Sequence, residues 1–383
     1  MQPETRIVHG QNSWIVTSDC VELAITELGG HMAPVNFYAD TARPIQPYYI
    51  SPWQDETRED VAPDVLKPLR GNFFCMPFGG NNAWNGENHV PHGEPATGKW
   101  NLESLTKDAA VTCLTLSMKT LQRPADVTKR VSLVDGQNVV YTQHVIQGGA
   151  GKMSLGHHAT LGVPLQTGAL KLATSPFQLG MTNPALFSDP ADGEYQSFAI
   201  GETFDSLDRV PLIWKDPAVG DASTFPQREG FTDLLAVYRE PQSAPAWTTA
   251  CDDHGEMLWF SLKDARKLPA TAMWISNRGR HGAPWDGRNR CLGLEDVCAY
   301  FAEGLADSAA ENCINRQGFP TTLTLTDEEP TTINYIEGAV RVPQDFDRVA
   351  EVEFSQGTVT FHSTTGRKVD AQVNTDFLHT GKL

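Results

Sequence analysis

Long apolar runs are missing from this chain. No stretch of about 18 consecutive apolar residues occurs in its 383 residues, so no membrane-crossing helix is expected. The opening Met-Gln-Pro-Glu-Thr-Arg has no apolar stretch behind it, so no signal peptide is predicted. Positive charge is in short supply: 30 Lys and Arg face 47 Asp and Glu, a net charge of −17. That balance argues against nucleic acid or an anionic membrane as a partner, and leaves small neutral ligands open. Cysteine is sparse and scattered, seven residues with no C-x-x-C. Reduced thiols in a cytoplasmic protein are the simplest reading. Also absent are G-x-G-x-x-G, the phosphate-binding G-x-x-x-x-G-K-[ST], any βαβ rhythm and any fixed-period repeat, so nucleotide-binding folds drop out.

What is present has a period of two. Val21, Leu23 and Ile25 share one face of a half-buried strand. Ala110 to Leu121 reads as another strand. Thr128–Val134 and Val139–Ile146 flank Asp135-Gly136, a hairpin signal. Further strands are predicted at Met153–Gly162, Leu170–Ala173, Glu256–Leu262, Ala270–Ser276, Thr321–Leu325, Thr331–Glu337, Val349–Phe354 and Thr358–His362. One helix is predicted, from about Val297 to Cys313. Strands this frequent, with 32 glycines and 25 prolines to punctuate them, indicate an all-β antiparallel sandwich or barrel. No convincing linker divides the chain, so residues 1–383 read as one domain. Pro184–Gly193 reads as a surface loop, and the Pro-rich segment 40–68 as one folding over the end of a sheet.

Three segments concentrate polar residues, glycine and aromatics: Arg70–Gly80 continuing to His92–Trp100, Leu155–Pro164, and Trp274–Arg288 leading into Leu292–Asp296. Strand parity sharpens the second. Leu155, His157, Ala159 and Leu161 share an apolar face, and Gly156, His158, Thr160 and Gly162 a small polar one. His158 is therefore the site candidate, and His157 a structural histidine. By the same test Leu292 and Leu294 face the core while Glu295 projects among small residues, where a carboxylate can serve as a general base. Asp296 fits the acid at the start of the predicted helix. Trp84, Trp100, Trp274 and Trp285 are candidates for stacking against a ligand. Arg278, Arg280, Arg288 and Arg290 are candidates for holding a phosphate or carboxylate.

The chain resembles the aldose 1-epimerase (galactose mutarotase-like) superfamily. The resemblance is carried by Glu27-Leu-Gly-Gly-His-Met-Ala33, Pro91-His-Gly-Glu-Pro-Ala-Thr-Gly-Lys-Trp100, His158-Ala-Thr-Leu-Gly-Val-Pro164, and Leu268-Pro before Trp274 with Gly293-Leu-Glu295. It implies a large antiparallel sandwich with a sugar cleft on one sheet, a small carbohydrate as ligand, and no cofactor or metal. It implies Glu295 as the base that takes the anomeric hydroxyl proton and His158 as the acid that protonates the ring oxygen. His92 would hydrogen-bond the sugar, Arg70 would be the substrate-binding arginine, and Asp233 would hold remote hydroxyls. The segment Gly156-His-His-Ala-Thr-Leu-Gly162 departs from the Asn-His-x-Tyr-Phe-Asn pattern of galactose mutarotases, and Arg70-Gly-Asn72 departs from their Asn-Arg. Both departures point toward another sugar, a sugar phosphate or a modified sugar. Three alternatives stand beside this reading. One is a non-catalytic carbohydrate-binding protein on the same fold. The second is a cupin-like metal-dependent sugar isomerase built on His89, His92, His157, His158 and Glu295. The third is a lyase or glycosidase.

Overall fold

A computed structural model describes residues 2–80, 82–252 and 256–383. Two large antiparallel sheets face each other. The first has eleven strands. Its N-terminal part runs through Glu4–Val8, Gln11–Thr17, Val21–Thr26 and Met32–Phe37 to Asn72–Cys75. It continues through Leu155–Gly162, Arg290–Cys298, Ala270–Asn277 and Phe231–Tyr238 to a short edge. The second sheet has nine strands. Its centre is formed by Ala246–Asp252, Met257–Lys263, Thr331–Arg341 and Val139–Gly148. The predicted Asp135-Gly136 hairpin joins Ala125–Val134 to Val139–Gly148 with Leu133 opposite Val140. Alternation sends Leu155, Ala159, Leu161, Leu292, Leu294, Met273 and Ile275 into the layer between the sheets, where they form the main core.

The core is not wholly apolar. Asp296 lies in it, fully buried, ion-paired with Lys263 and accepting hydrogen bonds from Ser261 (2.7 Å), Thr271 (2.7 Å) and Tyr335 (3.0 Å). Burial opposes the charge, but Lys263 and these hydroxyls outweigh it and hold the carboxyl below its usual value. The expectation that Asp296 heads a helix is therefore corrected. So is the helix Val297–Cys313 itself. The strand continues to Cys298, with Val297 paired to both Ala270 and Gly156, and of the span expected to be helical only Leu305–Ala309 forms a helix. Pairing on both edges overrides local helix propensity.

Two further apolar layers complete the architecture. A small three-stranded sheet, Val349–Ser355, Thr358–Ser363 and Lys368–Gln372, covers the outer face of the nine-stranded sheet through Phe361 and Val359. On the outer face of the eleven-stranded sheet, the segment around Trp53, Val65, Leu66 and Leu69 packs toward Phe73 and Trp274. This segment is the one expected to fold over a sheet end, and the cavity described next lies beneath it.

Candidate active site

His158 and Glu295 are direct cross-strand partners, so their side chains rise from the same face of the sheet. His158 Nε2 lies 3.2 Å from Glu295 Oε1, and His158 Nδ1 lies 3.1 Å from the Thr160 hydroxyl, two residues along the same face. The imidazole is also held by stacking. Phe73, opposite His158 on the other neighbouring strand, lies parallel to it at 4.4 Å, and His31 covers the far side of Phe73 at 3.9 Å. His31 is itself fixed, donating from Nε2 to the Ala96 carbonyl at 2.9 Å. Gly293 sits opposite Trp274. A Cβ at Gly293 would come within 2.4 Å of Glu295 Oε1, so this glycine leaves the carboxylate its place.

His92 enters from a loop. Its backbone is left-handed at φ 60°, uncommon for a non-glycine residue, and Gly93 follows at φ 78°. A Cβ at Gly93 would stand 1.9 Å from the Met76 carbonyl, so only glycine fits. The turn brings the His92 ring edge-on to His158 at 5.0 Å, with Nδ1 3.3 Å from Cys75 Sγ. Such strain clusters at functional sites.

These three side chains form the floor of a cavity of about 320 Å³, within the range of small-molecule sites. Pro63, Val65, Leu66 and Leu69 make one wall, Trp274, Trp285 and Leu234 another, and Phe187, Glu194 and Arg280 the rim. Trp285 stands edge-on to Trp274 (5.6 Å) and Trp53 (4.8 Å).

The floor is dry. Glu295 is 2% exposed, and burial pushes its carboxyl up to about 8. Burial, reinforced by His92 and His31, keeps His158 well below the ordinary imidazole value, and burial lowers His92 to about 4. The three groups thus favour their neutral forms, the pattern of a desolvated acid–base site.

The cavity brings together six of the residues named from sequence: Glu295, His158, His92, Trp274, Trp285 and, at the rim, Arg280. Three others are placed elsewhere. Arg70 is fully buried, and its guanidinium donates to the carbonyls of Val8 (2.8 Å), His9 (2.7 Å) and Pro68 (3.2 Å) and to Gln54 Oε1 (2.5 Å). It ties the N-terminal hairpin to the 54–68 segment rather than meeting a ligand. Asp233 precedes the cavity-lining Leu234, so strand alternation sends it to the opposite face. Its carboxylate accepts from the Ser197 N–H (2.8 Å), the Ser197 hydroxyl (2.7 Å) and the Phe198 N–H (2.8 Å). Arg288 is bonded to Glu56 and Asp286 outside the cavity, and Arg280 is the arginine at the rim.

The other arginines of that cluster are also compensated. Arg280 pairs with Glu194 at 2.7 Å, while Arg278 (2.7 Å) and Arg290 (3.3 Å) share Glu229. The five residues of the metal-site alternative do not converge. His89 bonds Glu87 at 2.8 Å, and His157 faces the inter-sheet layer, stacked on Tyr335 at 4.1 Å. Among the described residues no cluster of three or more His, Cys, Asp or Glu side chains is arranged to hold a metal ion. The sequence reading missed Phe73, Phe187, Glu194 and the Val65–Leu69 wall. Phe73 alone left a signal, as an aromatic in a short apolar strand after Gly71.

No family model matches the chain, and no curated protein matches it. Solved structures do. An aldose 1-epimerase, so named provisionally, from Klebsiella pneumoniae is 13% identical with a TM-score of 0.60, over 89% of this chain and 83% of that one. A galactose mutarotase-like protein from Clostridium acetobutylicum is 11% identical with a TM-score of 0.58, over 89% and 98%. A galactose mutarotase related enzyme from Lactobacillus acidophilus is 12% identical with a TM-score of 0.55, over 86% and 98%. At these identities the likeness is one of fold. The architecture is the galactose mutarotase-like sandwich, as the sequence resemblance implied.

Proposed function

We propose that this protein is an aldose 1-epimerase-like isomerase, acting as one sugar-binding domain, that interconverts the α and β anomers of a sugar by general acid–base ring opening. The observation that carries this reading is the Glu295–His158 pair, 3.2 Å apart and buried on the floor of a cavity the size of a monosaccharide. Mutarotation needs one group to accept a proton and another to supply one at two oxygens of the same carbon. Two side chains on adjacent strands of one face meet that need.

Across the neutral range the pair holds one proton. Burial keeps it on Glu295 in the empty site, and its transfer to His158 gives the carboxylate and imidazolium that the reaction uses. Glu295 takes the proton of the anomeric hydroxyl as the bond from the anomeric carbon to the ring oxygen breaks. His158 gives its proton to that ring oxygen. The open-chain aldehyde turns about its first carbon–carbon bond, and the reverse transfers close the ring on the other face. His92 hydrogen-bonds the sugar beside the reacting centre, and Trp274 and Trp285 offer aromatic faces to its C–H groups. None of these steps calls on a cofactor.

The test is polarimetry of freshly dissolved single anomers with wild type, Glu295→Gln and His158→Gln, with ligand-observed NMR on the same samples. Acceleration by wild type, reduced about 10²–10⁴-fold in each variant, supports the isomerase. Saturable binding without acceleration by wild type moves the protein to the non-catalytic sugar-binding reading.

A further inference from the structure

The cavity has few groups with which to satisfy a sugar's hydroxyls. Its ionisable side chains occupy two places. His92, His158 and Glu295 sit on the floor, where the anomeric centre reacts. Glu194 and Arg280 sit at the rim and are already committed to each other at 2.7 Å. Glu194 also accepts from the His281 N–H at 3.0 Å, and the Arg280 guanidinium lies over Phe187 at 4.8 Å. Between floor and rim, Pro63, Val65, Leu66 and Leu69 form one wall, and Trp274, Trp285, Leu234 and Ala302 also line the cavity. The indoles supply flat faces for a ring, but the Val65–Leu69 wall is aliphatic and its side chains offer neither the hydrogen bonds that a hydroxyl needs nor a face on which a pyranose ring stacks.

We propose that the site takes a neutral deoxy sugar whose deoxygenated carbon, most simply a 6-methyl group, rests on the Val65–Leu69 wall. The inference rests on the sugar-binding reading above and specifies its substrate class. A hydroxyl pressed against that wall leaves its water partners and gains none. A methyl group in the same place removes apolar surface from water. One such group in an apolar pocket is worth about tenfold or more in discrimination. Anionic sugars fit less well. The rim arginine is occupied by the Glu194 carboxylate, which faces the cavity, and the chain carries a net charge of −17.

The experiment compares sugars that differ only at carbon 6, in both enantiomeric series: fucose with galactose, quinovose with glucose, and rhamnose with mannose. Glucose 6-phosphate and galacturonate complete the panel. Magnetisation-transfer NMR gives kcat/KM for anomer exchange, and ligand-observed NMR gives Kd on the same samples. The expected result is a preference of about tenfold or more for at least one 6-deoxy sugar over its hydroxylated partner in both readouts. Val65→Thr, which places a hydroxyl in the wall with little change of shape, is expected to narrow that preference at least about threefold. Equal or reversed preference, best turnover of an anionic sugar, or no binding of any 6-deoxy sugar overturns the inference. A 6-deoxy preference in binding with no exchange of any sugar upholds it and sinks the isomerase reading instead.

Discussion

In the proposed reaction Glu295 and His158 act through the proton they share. Because burial holds the carboxyl near 8 and keeps the imidazole from taking a second proton, the pair carries one proton from mildly acid solution up to that point. Above it the last proton leaves and no acid remains to protonate the ring oxygen. The expected kcat/KM profile for anomer exchange is therefore flat through neutrality and falls as pH rises past about 8. A single limb near the usual carboxylate value, with activity sustained above pH 9, would contradict the shared proton. The facing of both side chains was legible in the sequence because alternation is a strict geometric rule in a regular strand, and it separated His158 from His157 and Glu295 from Asp296. Arg70, Asp233 and Arg288 were misassigned because sequence does not reveal what a side chain is already bonded to. Carbonyls of Val8 and His9, the Ser197 backbone and Glu56 hold these three, and all lie far from them along the chain.

At the scale of the element, the central strands place the chemistry and the loops shape the space around it. Gly293 shows how closely the two are fitted. Its φ is not in the left-handed region, so alanine there meets no backbone strain, but the added Cβ would lie 2.4 Å from Glu295 Oε1 and 3.0 Å from Trp274 Cβ. The carboxylate, as the movable partner, gives way. Gly293→Ala is expected to lower kcat by about 10²-fold, as misplacement of a reacting group does, while thermal unfolding shifts only a few degrees. An active variant, or one that fails to fold, would count against this geometry. The predicted strands and the 135–136 hairpin match the structure because their periodicity is local. The helix expected from Val297 was lost to pairing with two neighbouring strands. The roof over the site was only half legible. Proline and polarity marked residues 40–68 as a loop, but that Val65 and Leu66 turn inward depends on contacts with Phe73 and Trp274 that no local pattern encodes.

At the scale of the whole molecule, the sandwich is stable only while its interior histidines stay neutral. Burial lowers His31 and His157 to about 3 and His92 to about 4, and holds His144 and His158 well below the ordinary value. In the unfolded chain each titrates near 6.5, so below that pH the unfolded state binds more protons and stability falls as pH falls. Buried Glu295 and Glu337, raised to about 8 and about 7, act in the opposite sense between about 4.5 and their folded values. Burial raises Asp233 as well, and the three raised acids are outnumbered by five lowered rings. The urea midpoint is expected to fall steadily from pH 6.5 to pH 5, and a flat or rising midpoint over that interval would contradict it. No helix among the described residues is long and apolar enough to cross a membrane, and the large apolar surfaces face inward across three layers.

The most direct test of the central claim is anomer exchange by magnetisation-transfer NMR on wild type and Glu295→Gln at neutral pH. The expected result is exchange accelerated by wild type and reduced at least about 10²-fold in the variant, with the same sugar still bound by both. Equal acceleration by the two proteins would remove Glu295 from the chemistry, and no acceleration by wild type for any sugar that binds would contradict the isomerase itself.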